Sequence, residues 1–271
     1  FTAIPSKLAL HCASILTLAV QGKIVSQDAN DEPIDVCLER IQAVRRSYGT
    51  KSFPYVDILD RPYDIPDSWL WVRLGNLALT SDSGWSPQCE SEPRRGTDWG
   101  VLKVSAVSWG SFNPDENKAL PSGMNGRPEC EVQPGDFLLS RANTEELVAR
   151  SVVVEQTPSK LMMSDKIVRF TFSNDLDKRF LNFANSSEFA RHYYARNASG
   201  TSSSMKNVGR EVMCNLPVPL PPLVEQKRIV AKVEQLMGLV DRLETQLAES
   251  RAKATALLEA VVAELAAMTS W

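Results

Sequence analysis

The chain has 271 residues, 43% of them hydrophobic and 23% charged, and its 30 basic and 33 acidic side chains leave a net charge of −3. That composition supports one or two folded cores and excludes a chain disordered throughout. The mild acidity argues against a uniformly basic nucleic-acid-coating protein. Five scattered cysteines without a C-x-x-C pair, and only two histidines, argue against a zinc site or disulfide framework and fit a reducing, cytoplasmic compartment. No metal or cofactor is expected.

In chain order, residues 5–22 read as a helix, with Leu8, Ile15, Leu18 and Ala19 on one stripe and Gly22 as its cap. The apolar run 8–20 superficially resembles a secretory signal. It is too short to span a bilayer and has no small-x-small site before Gln21, so a packed helix is expected, without membrane association. Pro33 opens a second helix through Val36, Leu38, Ile41 and Val44, ending near Arg46. Residues 51–64 hold Pro54 and Pro62 with little periodicity, and read as a linker that closes an N-terminal segment over 1–64.

A globular domain is expected over 65–216. Trp69, Trp71 and Leu74 at its entry read as buried anchors rather than base-stacking groups. Short β-prone runs at 101–108, 136–140, 151–155 and 166–172 alternate with Gly and Pro turns, and helical pattern returns over 177–195. The class is therefore α+β, with a curved, mainly antiparallel sheet. Where the strand at 136–140 emerges, Arg141 and Asn143 can present bidentate forks to guanine and adenine, or can equally serve to hold a neighbouring loop. Residues 189–210 carry Arg191, Arg196, Lys206 and Arg210 and no acid, a local cationic face on an acidic whole. The run Ser-Gly-Thr-Ser-Ser-Ser-Met-Lys-Asn at 199–207 allows close backbone approach to phosphates, although a solvated serine-rich loop has the same composition. The candidate DNA-binding set is Arg94, Arg95, Lys103, Arg141, Asn143, Thr201, Ser202, Ser203, Lys206 and Asn207.

Catalysis is not expected. A nucleophilic serine would have to use His192, as in a Ser202–His192 pair, and there is no G-x-S-x-G, H-E-x-x-H, phosphate-binding loop or dinucleotide fingerprint.

The final segment, 217–271, opens with Pro217, Pro219, Pro221 and Pro222, which forbid helix and keep the chain extended to about Leu223. Beyond it, apolar residues recur at alternating steps of four and three, with Ser250 and Glu264 filling two gaps in the series: Ile229, Val233, Leu236, Val240, Leu243, Leu247, Ala254, Leu257, Val261 and Met268. That is a coiled-coil seam on a rod roughly 65 Å long, with Ile229, Val233, Leu236, Val240, Leu243 and Leu247 the expected dimer interface and its near half the tighter.

The stretch Pro-Leu-Pro-Pro-Leu-Val-Glu-Gln-Lys-Arg-Ile-Val-Ala-Lys-Val-Glu-Gln-Leu-Met (219–237), followed by Asp-Arg-Leu-Glu (241–244), closely resembles the long helical region of the specificity subunits of type I restriction–modification systems. Residues 19–33, the entry string Ile-Pro-Asp-Ser-Trp-Leu-Trp-Val-Arg-Leu-Gly (65–75) and the Ser-Gly-Thr run, followed by an expected apolar strand at Val212–Leu216 that leads into the prolines, resemble the same family. The resemblance implies a non-catalytic subunit whose target-recognition domain reads double-stranded DNA. It also implies that paired long helices fix the distance between two such domains, and that modification (methyltransferase) and restriction subunits are partners. A typical member has two recognition domains and two long helices, whereas this sequence has one of each, so it is either a half-sized subunit forming a two-fold homodimer, the favoured expectation, or a piece of a longer chain. The alternative is a coiled-coil adaptor whose globular part binds protein.

Overall fold

The computed structural model describes residues 7–268 other than 109, 201, 203 and 204, with side chains from 13 to 260. Helices α1 (Lys7–Val20) and α2 (Ile34–Ser47) come first. α1 ends where Gly22 takes a φ of +70°, and a Cβ there would run into the Pro66 ring. On α2, Ile34, Cys37 and Ile41 turn inward, and buried Arg45 donates to the Ala78 and Lys51 carbonyls.

There follow β1 (Leu70–Arg73), α3 (Leu74–Leu77), β2 (Ala78–Ser83), β3 (Gly100–Leu102), β4 (Asn117–Ala119), β5 (Phe137–Ser140), β6 (Ala142–Asn143), β7 (Ser151–Val153), β8 (Leu161–Met162) and β9 (Ile167–Phe172). The chain continues through α4 (Lys178–Ser186), α5 (Glu188–Asn197), β10 (Lys206–Asn207), α6 (Arg210–Cys214), β11 (Pro217–Leu220) and α7 (Leu223–Met268). The expected α+β class, mainly antiparallel and followed by a long helix, is present. The largest sheet has the order β2-β9-β5-β7, all antiparallel, while β4-β3-β8 contains the parallel pair β3 with β8.

Strand β5 explains how the globule is layered. Its Phe-Leu-Leu-Ser run is buried at every position, as a central strand covered on both faces must be. Phe137 and Leu139 join a large core with Val168, Phe170, Phe180 and Tyr194, whereas Leu138 faces the other way into a second core with Leu102, Val107, Val152 and Leu161. Trp69 and Leu74 lie in the large core and Trp71 is buried beside it, so the expected entry anchors are in place.

Three local expectations are corrected. The run 101–108 is strand only to Leu102, after which Val104–Val107 close into a 3-10 turn whose Ala106 and Val107 are fully buried; a short apolar run does not by itself distinguish the two. The helical stretch 177–195 is two helices, because Ser187 adopts an extended backbone and its hydroxyl caps α5 by accepting from Ala190 N–H. The residues before the proline run form the short helix α6 rather than a strand, starting at Gly209 and burying Met213 and Cys214.

The proline run is extended as expected and pairs antiparallel with β1, Leu70 opposite Leu220 and Arg73 opposite Pro217. Pro217 and Pro219 fall on alternate positions, so the residues lacking an N–H share the unpaired edge and the ladder survives. Immediately afterwards α7 begins inside the large core. Ile229 is 0% exposed and Val230 and Val233 are 1% exposed, whereas residues 241–260 are exposed throughout. The helix thus has a buried base and a free arm.

Polar contacts lock the base. Arg228 donates both Nη atoms to Asp31 at 2.9 and 2.6 Å, Gln226 accepts from Asp177 N–H at 2.9 Å, and Gln27 donates to Glu225 at 3.0 Å. Burial pushes the Glu225 carboxyl above its ordinary range, against the opposing pull of Gln27 and the nearby Trp69 indole. Two outcomes follow. Asp31→Asn removes the charge from a bidentate pair and is expected to cost about 2 kcal/mol, read as a lower denaturant midpoint. A carboxyl with a raised folded-state pKa supports the fold in acid and loses that support as pH climbs. The wild type should therefore lose stability relative to Glu225→Gln as pH rises above the ordinary glutamate range, measured by melting temperature.

Candidate nucleic-acid interface

The two stretches that carry the candidate base-reading and phosphate-binding residues meet in one ladder. β6 pairs with β10, setting Lys206 opposite Asn143 and Asn207 opposite Ala142. Ser199 and Asn207 extend the pairing through reciprocal backbone bonds of 2.8 Å, so the intervening loop is a closed hairpin. The hairpin needs its glycine: Gly200 has a φ of +117° and a Cβ there would lie 2.5 Å from the Met205 carbonyl. Lys206 reaches back to donate to the Gly200 carbonyl at 3.0 Å, and Met205 projects from the hairpin with 66% of its surface exposed. Ser202 lies in this hairpin; Thr201 and Ser203 fall outside the described residues.

Arg141 is the hinge between the large sheet and this ladder. Its N–H donates to the Lys166 carbonyl and its own carbonyl accepts from Val208 N–H, each at 2.8 Å. Its Nε is buried without a hydrogen-bond partner, and its charge helps hold the Asp165 carboxyl below its ordinary range. There burial, which opposes the shift, is outweighed by hydrogen bonds from Ser86 and Lys166 together with Arg141. Asn143 is already engaged: its amide donates to Ser108 Oγ and its carbonyl oxygen accepts from Thr144 N–H, both at 2.8 Å. These bonds tie Asn143 to the 3-10 turn at Ser108 and to its own loop.

The remaining candidates lie on other elements. Lys103 pairs with Glu116 at 3.7 Å, and the hydrogen bond from Ser105 and the Lys103 charge lower the Glu116 carboxyl below its usual range. Lys103 opens the 3-10 turn that ends at Ser108, which ties it to the Asn143 end of the ladder. Arg94 and Arg95 are not brought to the ladder: they belong to the β4-β3-β8 side. There Arg94 donates to the Asp98 and Ser159 carbonyls at 2.9 and 2.6 Å, and Arg95 shares a cleft with Glu90, Glu92 and Asp98. Those acids make a poor setting for a phosphate. Ser108 and Lys166, which position Asn143 and Arg141, carry no signal in the sequence, because each partner is remote along the chain.

The expected dimer seam divides. Ile229 and Val233 are sealed in the chain's own core, a correction to their assignment at an interface between copies. The tight near half of the heptad packs against α1 and α4 of the same chain. Leu236 and Val240 are half-buried, and Leu243 and Leu247 are 64% and 52% exposed. No helix among the described residues is long and apolar enough to cross a membrane.

Comparison with known proteins matches residues 98–250 to the type I restriction modification DNA specificity domain, more than half of the chain. The specificity subunit of the type I restriction enzyme EcoEI from Escherichia coli is 37% identical over 243 residues, covering 86% of this chain and 41% of the relative. The EcoDI specificity subunit from Escherichia coli is 32% identical over 266 residues, covering 96% and 53%. The chain thus spans about half or less of the length of these curated relatives. Among solved structures, a chain from a study of complex assembly and conformational transition of the type I R-M system aligns with a TM-score of 0.53 at 21% identity. It covers 84% of this chain and 55% of that one, a likeness of fold. With a family match running from Asp98 across the β6–β10 ladder into the exposed arm of α7, the chain belongs to the type I restriction modification DNA specificity family.

Proposed function

We propose that the chain is a non-catalytic DNA-reading subunit of a type I restriction–modification system, with residues 65–216 as its target-recognition domain. The observation that carries this reading is the β6–β10 ladder. Two polar, cationic stretches 63 residues apart, at Asn143 and Lys206, lie side by side where the strand from the central sheet emerges. Arg141 and Asn207 offer donors to base edges, while Lys206 offers donors to phosphates. Double-stranded DNA is the first partner, and the modification and restriction subunits named for the family are the others. The free cysteines Cys37, Cys89, Cys130 and Cys214 fit a cytoplasmic setting.

The arm of α7 supplies the second half of the reading, a spacer that pairs with another copy. With Val240 and Leu247 as a positions and Leu243 as a d position, Glu244 and Arg251 both occupy e positions and Gln246 and Lys253 both occupy g positions. Antiparallel pairing places e against e and g against g, so a two-fold dimer centred near Leu247 and Ser250 sets Glu244 against Arg251 of the other copy twice over. Parallel pairing sets Glu244 against Leu239 and Arg251 against Gln246, with no such match.

Two measurements test the proposal. In electrophoretic shift assays across a salt series, Arg141→Ala should weaken binding to cognate DNA roughly tenfold, and Lys206→Ala should lower the salt slope by about one. Indifference of binding to salt and to both substitutions would favour a protein-binding adaptor. By light scattering at micromolar concentration the wild type should be a dimer, and Leu243→Asp combined with Leu247→Asp a monomer of unchanged melting temperature, since both side chains are exposed. A monomeric wild type would sink the spacer model.

A further inference from the structure

Just beyond Asn143 the chain forms a built turn over 144–150, in which Ala149 holds a φ of +56°. Three donors converge on it: Arg191 Nη1 reaches the Val148 carbonyl at 2.8 Å, and Arg191 Nη2 and Asn185 Nδ2 both reach the Ala149 carbonyl at 2.9 Å. The turn and α5 enclose an open cleft of about 720 Å³ lined by Thr144, Arg150, Arg191 and His192, with Glu145 and Glu146 also on its wall.

The electrostatics of this cleft are unbalanced. None of the ion pairs formed among the described residues includes Arg150 or Arg191. Arg191 Nε is buried with no hydrogen-bond partner, and its guanidinium lies 5.1 Å from the ring of fully buried Tyr194. Burial and the neighbouring Arg150 charge pull the Arg191 pKa down to about 10, which leaves it charged at neutral pH. Arg150 spends one hydrogen bond, from Nε to the Glu146 carbonyl at 3.2 Å. Two adjacent guanidiniums, one of them largely desolvated, and neither in an ion pair although the Glu146 charge acts on Arg150, form a site that gains from an anion with several acceptor oxygens. The Glu145 and Glu146 side chains are exposed and oppose that anion from the rim.

We infer that this cleft seats a backbone phosphate of the bound DNA. Arg150 and Thr144 make the contact, and Arg191 is the positioning residue that fixes the turn and adds field. The inference rests on the DNA-reading role proposed above and adds a sequence-independent contact to it. Thr144 directly follows the β6 residue Asn143, so a strand lying on the β6–β10 ladder passes the mouth of the cleft. The adjoining phosphate is thus the anion within reach.

The test uses the full chain with fluorescent duplexes of two unrelated sequences over a salt series. Arg150→Ala should weaken both duplexes by the same factor, roughly five- to tenfold, and reduce the salt slope by about one, while Arg150→Lys recovers most of the slope. Glu146→Gln keeps the carbonyl that Arg150 uses and should tighten both duplexes roughly twofold. Wild-type slope and affinity in Arg150→Ala would overturn the seat and leave the DNA-reading role standing. A loss confined to one duplex would make Arg150 a base reader instead and likewise overturn it. A wild type that binds neither duplex at low salt would remove the DNA-reading role and the seat together. A thermal-shift arm separates a free anion from a nucleic-acid phosphate. Stabilisation of the wild type by millimolar inorganic phosphate, absent in Arg150→Ala and with DNA binding unaffected by that substitution, would assign the site to a small anion and overturn the proposal.

Discussion

Everything beyond the globule depends on the antiparallel pairing of β1 with β11. This ribbon joins the first strand of the domain to the last, and α7 starts three residues after it, at Leu223. Because Leu216 O also accepts from Leu74 N–H, the ladder continues past the named strands into α3. Ile229, Val230 and Val233 then commit the first turns to the same core that holds Trp69, Ile41 and Tyr194. One hydrophobic core therefore unites the N-terminal helices, the globule and the base of the rod, and the direction of the rod is a property of that core.

Much of this was legible in the residues, for physical reasons that differ from place to place. Prolines at 217, 219, 221 and 222 forbid helix whatever the context, so the extended run and the helix start at Leu223 were both readable. The heptad gave the helix but not its partner. Ile229 and Leu243 carry the same kind of signal in sequence, yet one is 0% and the other 64% exposed, because periodicity reports a buried stripe without saying which chain buries it. The 104–107 turn and α6 depart from the expected strands for a related reason: segments with three apolar residues each hold too little period to choose a geometry.

The candidate interface was legible in pieces. Arg141, Asn143, Lys206 and Asn207 were each readable as donors in mobile-looking polar stretches, but the ladder that joins them consists of two two-residue strands remote in sequence, with no periodic signature. Nor does sequence reveal prior commitments, such as the Asn143 amide bound to Ser108 or the Arg94 guanidinium bound to two carbonyls. Net charge was the least informative quantity of all. A chain at −3 still places Arg141, Arg150 and Lys206 on or beside the ladder and its neighbouring turn, with Arg191 reaching that turn from α5, and local field rather than total charge governs contact with a polyanion.

The unsupported part of α7 is a lever. From the last core residue, Val233, to residue 260 the helix extends about 40 Å, so a tilt of about 5° at the base would carry its far end through roughly 3.5 Å. That sweep equals about one step along a duplex strand. Any object borne at the tip is located to single-nucleotide accuracy only if the fulcrum yields by less than this. The Asp31–Arg228 clasp and the sealed Ile229 contact consequently limit how far the free end can sweep, and loosening them would widen that sweep long before it unfolded anything.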